Sequence, residues 1–143
     1  SIEKAGIKPV VFLLADLGYP PYSEVLTVKN EALAAKRDVL KRFTQASAEG
    51  WKSYLDNPAP GNALIKKDNP QMSDELLAYS VRKMREYNIV GGGDAMVNGI
   101  MTMNTDRWLT TVQFLRIAGM AKPNVDYTKG WTLDIVKDVR VLP

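Results

Sequence analysis

The sequence predicts a helix-rich α/β chain with an incomplete sheet, on three observations. Val10–Ala15 is apolar at almost every position, which is how a strand buried on both faces inside a parallel sheet reads. A second run, Glu24–Lys29, alternates more and has the same strand character. From Asn30 onward the apolar period turns helical, and only the short terminal stretch Val139–Leu142 reads as strand again. A doubly buried strand needs neighbours, and this sequence supplies almost none.

Taken in order, "SIEKAG" reads as the last turn of a helix ending at Gly6. The chain opens there with neither an initiator Met nor a signal peptide, so we expect a piece excised from something longer. The segment between the two strand-like runs, "DLGYPPYS", is stiff and aromatic. Pro20 and Pro21 fix two φ angles and remove two amide donors, so this segment is not sheet interior. It suits an extended crossing between two separate sheets, or equally a surface loop carrying two amphipathic tyrosines.

Asn30 can cap a short helix through Ala35, with Glu31 near its positive end. Asp38 starts a long helix in which Val39, Leu40, Phe43, Ala46, Trp51, Tyr54 and Leu55 recur at helical spacing, and Pro58 stops it. Gly50 inside it costs about 1 kcal/mol relative to Ala, and is expected to mark close packing against a neighbour. "PGNALIKKDNP" holds another short helix. Ser73 opens a capped helix, "SDELLAYSVRKMREYN", with Leu76, Leu77, Val81 and Met84 along one stripe. Asn104 or Thr105 caps "TDRWLTTVQFLRIAG", where Trp108, Val112, Leu115 and Ile117 are apolar and Gly119 ends the helix. The tail reads as a loop followed by a turn or two of helix.

The triple glycine in "NIVGGGDAM" lacks the Lys-Ser/Thr and the preceding strand of a phosphate loop, so a turn with positive φ is expected. Met96, Met101 and Met103 are read as core filling, as are Trp51 and Trp108.

Bulk composition excludes several classes. The 143 residues fit one domain, and 45% hydrophobic with 24% charged residues is ordinary for a globular protein. A net charge of +3, with both signs dispersed, lacks the concentrated basic face of a nucleic-acid binder and reads as a solvated surface. The chain has no Cys and no His, which removes disulfides, thiolate chemistry, the commonest metal ligands and the commonest general base. No metal, cofactor or catalytic residue is expected. No apolar run approaches the roughly 20 residues of a membrane span.

"GIKPVVFLLADLGYPPYSEVLTVKNEALAAKRDVLKRFTQASAEGWKSYLDNP" closely resembles periplasmic solute-binding proteins of ABC importers, in the NMT1/THI5-like group. The pattern is a strand ending in Asp16, then Gly18–Pro20–Tyr22, then Val25–Val28, then a helix with Arg42-Phe43, Ala46, Gly50-Trp51 and Asp56–Pro58. "MNTDRWLTTVQFLRIAGM" is similar to a later part of the same pattern. The group is associated with thiamine-precursor pyrimidines, nitrate, sulfonates and taurine.

The resemblance implies a partial type II periplasmic-binding-protein fold with two α/β lobes. Residues 1–16 would be the final helix turn and strand of the distal lobe. Residues 17–23 would be the inter-lobe crossing, with Gly18, Pro20 and Pro21 as hinge. Residues 24–143 would be the helix-rich return part of the proximal lobe. Asp16, Tyr19 and Tyr22 would line the cleft: Tyr offers a flat ring and a hydroxyl to a small polar or aromatic solute, and Asp16 an acceptor for an amine. The implied partners are the solute and the membrane subunits of the permease, in the periplasm or anchored by lipid outside the cytoplasmic membrane. The competing readings are a fragment of a thiamine-pyrimidine-synthase-like enzyme, whose chemistry draws on His and Cys, and a self-contained helical interaction module. An unpaired apolar strand is also a template for association, so self-association through Val10–Ala15 is expected.

Overall fold

The computed structural model describes residues 2, 5–19 and 21–143. Its helices are α1 (Asn30–Ala35), α2 (Arg37–Asp56), α3 (Ala59–Asp68), α4 (Asp74–Glu86), α5 (Ala95–Asn98) and α6 (Thr105–Ile117). No strand forms among the described residues. The chain divides into two compact units, one of Ser1–Val25 with Asn104–Trp131, the other of Leu26–Met103 with Thr132–Pro143.

In the first unit, the expected strand Val10–Ala15 is not a strand. Residues 7–13 are irregular and residues 14–18 form turns, with Asp16 N–H donating to Leu13 O and Tyr19 N–H to Leu14 O. Val10 and Phe12 are 78% and 75% exposed, against the expectation of burial on both faces. The physical reason is the shortage of neighbours: no other described segment offers a ladder, so the backbone turns back on itself. Of the expected helix end before Gly6, residues 1, 3 and 4 lie outside the described residues. Gly6 takes φ +75°, and Ile7 N–H closes a wide turn to Ile2 O. The second run, Glu24–Lys29, is likewise unpaired.

α6 forms as its sequence directs. Asn104 is the cap, its side chain accepting from Arg107 N–H at 2.8 Å. Gly119 ends it in the left-handed region at φ +70°, with Met120 N–H returning to Leu115 O. Thr111 and Val112 are buried, whereas Ile117 points to solvent at 85% exposure, off the stripe assigned to it.

In the second unit, α2 turns an unexpected face inward. Ala48 is fully buried with Ile100, Val136 and Val139, and Val90, Met101, Leu133 and Val141 pack around them. The C-terminal segment lies along the small face of α2 and is tied there by polar contacts. Arg37 donates to Asp134 O at 2.7 Å, Lys52 to Leu142 O at 2.9 Å, and Lys41 pairs with Asp138 at 3.0 Å. The Lys41 ammonium holds the Asp138 carboxyl below its ordinary value. The stripe expected to be buried is largely open, with Phe43 56% exposed. A helix packs the face that lets its partner come close, and Ala48 with Thr44 permits what Phe43 does not.

α1 begins after Lys29 rather than with Asn30 as cap, and no side chain caps it; Glu31 sits in its first turn as expected. α3 carries Pro60 in its first turn, and α4 is capped by Ser73 accepting from Leu76 N–H at 3.2 Å, with Leu77 and Val81 buried. Met101 packs against the core, while Met96 is 63% exposed and fills none. Of the glycine triplet, only Gly93 takes positive φ, at +57°.

Gly50 and Gly99 separate the two uses of glycine. A Cβ on Gly50 meets nothing within 4 Å, so the expected close packing is absent. A Cβ on Gly99 comes within 3.1 Å of Val141 N, on a backbone at φ +97°. We predict that Gly50→Ala raises stability by about 1 kcal/mol. Gly99→Ala lowers it by about 1–3 kcal/mol. Urea unfolding of both variants beside the parent checks the two signs.

Candidate functional site

In the first unit Tyr19, Pro21 and Tyr22 are laid against α6 by aromatic and guanidinium contacts. The Tyr22 ring sits 5.6 Å from the Trp108 ring at a tilt of 47°, and its hydroxyl oxygen accepts from Asn104 N–H at 2.8 Å. The Arg107 guanidinium lies over the Tyr22 ring, 4.1 Å from its centroid, a cation–π arrangement. The same guanidinium donates to Pro21 O at 2.9 Å. Tyr19 packs 5.2 Å from Phe114. Residues 104, 107 and 108 share the first turns of α6 and 114 lies further along it, so one helix presents every partner.

Trp131 completes the cluster, stacked on Trp108 at 6.1 Å with an interplanar angle of 21°. The turn Tyr127–Lys129 places it. Asp126 caps that turn, accepting from the Thr128 hydroxyl at 2.6 Å and from Thr128 N–H at 3.2 Å. The Thr128 hydroxyl bond is the main reason the Asp126 carboxyl lies below its ordinary value. Arg116 donates to Val125 O at 2.8 Å and holds the same loop to α6. The indole N–H groups of Trp108 and Trp131 are buried with no hydrogen-bond partner among the described residues. Two orphan donors beside a stacked pair of rings are costly unless an acceptor reaches them.

Of the residues singled out from the sequence, Tyr19 and Tyr22 are half-buried together on α6. Asp16 stands apart, exposed in the turn of residues 14–18. Gly18 takes φ +86° and Pro21 contributes its carbonyl to Arg107, while Pro20 lies outside the described residues. Arg107, Phe114 and Trp131 carried no sequence signal of a site, and Trp108 read as core. No group of three or more potential metal ligands occurs among the described residues. In the second unit, Gly50, Trp51, Tyr54, Ile65, Leu77 and Met84 line an open groove of about 490 Å³, with Trp51 edge-on to Tyr54 at 6.2 Å. None of the expected ligand residues belongs to it.

Residues 1–60 match the family model described as NMT1/THI5 like. This stretch is similar to the NMT1/THI5-like family, as the resemblance carried by residues 6–58 implied, and such a match is consistent with a solute-binding role. "MNTDRWLTTVQFLRIAGM" lies outside the matched residues. Among curated proteins and among solved structures, none matches the chain.

Two predictions follow from this geometry. Arg107→Leu removes both the stacked cation and the donor to Pro21, and loosens residues 21 and 22 against α6. Amide exchange of Tyr22 rises about tenfold or more, one charged hydrogen bond being worth roughly 1.5–3 kcal/mol. Asp126 works in the opposite direction to a raised base. Its folded carboxyl favours the ionised form, so its contribution is full above the ordinary carboxylate range, about pH 4, and is lost as pH falls through the lower folded value. Near-ultraviolet circular dichroism of the Trp108–Trp131 pair is expected to weaken on acidification below about pH 4, and Asp126→Asn to remove that dependence.

Proposed function

We propose that the chain belongs to the solute-capture component of an ABC importer, holding a small aromatic or polar solute and delivering it to the permease. The observation that carries this reading is the NMT1/THI5-like match over residues 1–60, which contains the Tyr19–Tyr22 segment. The cluster around Tyr22 supports it: flat rings, a fixed guanidinium and two indole donors suit a planar solute bearing hydrogen-bond acceptors. In this reading residues 17–23 are the crossing about which two lobes close, and closure is what the permease reads. The compartment proposed is the periplasm. A binding role is preferred to catalysis because the chain has no His and no Cys to serve as base or nucleophile.

The stacked Trp108–Trp131 pair supplies the readout, and Trp51→Phe removes the third indole from the signal. Aminopyrimidines, taurine, alkyl sulfonates and nitrate are titrated in turn against tryptophan emission. At least one is expected to quench it saturably. Tyr22→Ala should weaken that solute by about tenfold or more, and Tyr22→Phe by less, since the ring is kept. Silence across the panel, or equal affinity in Tyr22→Ala, overturns the proposal.

A further inference from the structure

The run from Lys8 to Asp16 is open on both sides. Val10, Val11, Phe12, Leu13 and Leu14 are all exposed, and none of the N–H groups from Lys8 to Ala15 donates a hydrogen bond to another described residue. Adjacent charges bracket it: Lys8 before the apolar residues, Asp16 after them. We infer that this segment pairs antiparallel with the same segment of a second copy, in the register centred on Phe12. The inference takes only the strand-like pattern of Val10–Ala15 from the sequence, and needs no place for it inside a lobe's sheet.

Three features select that occupant and that register. Centring on Phe12 sets Val10 opposite Leu14, Val11 opposite Leu13, and Phe12 opposite itself, so each apolar side chain meets another. It also sets Lys8 opposite Asp16 twice, whereas a parallel in-register pairing would place Lys8 against Lys8 and Asp16 against Asp16. The third feature is Pro9. With Phe12 facing Phe12 as a hydrogen-bonded pair, the ladder draws on Lys8, Val10, Phe12, Leu14 and Asp16, and residue 9 falls at a position whose amide points outward. A chain without that amide loses nothing there. Pairing takes residues 14–16 out of their turn, exchanging the bonds made to Leu13 O and Leu14 O for ladder bonds.

The absence of cysteine makes the register directly readable. Under mild oxidation Phe12→Cys forms a disulfide-linked dimer, because position 12 faces itself at about 5.5 Å between Cα atoms. Val10→Cys does not, since its copies lie about 13 Å apart along the strand, four residues at roughly 3.3 Å each. Val10→Cys with Leu14→Cys does. In sedimentation equilibrium the parent chain is a dimer. Lys8→Glu alone and Asp16→Lys alone each weaken it about tenfold through two repelling cross-strand pairs, and the double reversal restores it. A monomer at high concentration, crosslinking by Val10→Cys alone, or a double reversal no better than the single ones overturns the inference. Tryptophan emission separates the two proposals: a monomer that still binds a solute overturns the pairing alone, and a dimer that binds none overturns the receptor reading alone.

Discussion

A cation carried on a helix and donating to a backbone carbonyl of an irregular segment is the interaction on which both units depend. Arg107 reaches Pro21, Arg116 reaches Val125, Arg37 reaches Asp134, and Lys52 reaches Leu142. The constraint behind the pattern is simple. No ladder forms among the described residues, so carbonyls outside the helices must find donors elsewhere, and a guanidinium offers several in a fixed plane. A charged donor also makes a bond about twice as strong as a neutral one. In the first unit this fastens the tyrosine-bearing segment and the Trp131 loop to α6. In the second it fastens the C-terminal segment to α2.

That pattern explains what the sequence disclosed and what it hid. Helix ends were legible because caps are local chemistry: Ser73, Asn104 and Gly119 act within a turn of themselves. Helix faces were less so. The stripe with Phe43 and Trp51 is the apolar one, but the buried contact is made by Ala48, and a periodic count gives weight to size where packing rewards its absence. The cations were read as a solvated surface. Nothing in the composition tells an arginine that will reach a carbonyl from one that will stay in water.

The candidate site divides along the same line. Tyr19 and Tyr22 stood out because two aromatics beside two prolines are unusual in a loop. Their partners did not, because Arg107 is 86 residues from Pro21, and Asn104 is 82 residues from Tyr22. Trp108 read as core, and it is indeed half-buried; what periodicity could not show is that its indole N–H lies buried without an acceptor beside Trp131. Asp16 had the right chemistry for a ligand and the right neighbours in sequence, yet a turn carries it away from α6.

The apolar run from Val10 to Leu14 is the place where sequence and structure disagree most, and the disagreement is informative. A β-branched and aromatic run with free amides is not stable as an isolated strand, because a lone strand gains no ladder bonds and leaves both faces in water. Residues 10–13 therefore stay irregular, and the chain bonds to itself just beyond them, in the turn of residues 14–18. The exposed side chains Val10, Phe12 and Leu14 remain as the record of a burial the chain cannot supply from its own described residues. The strand reading failed on conformation, since its pattern asks for neighbours that the described residues do not provide. A segment whose local preference and tertiary surroundings conflict in this way is one whose conformation a partner can set.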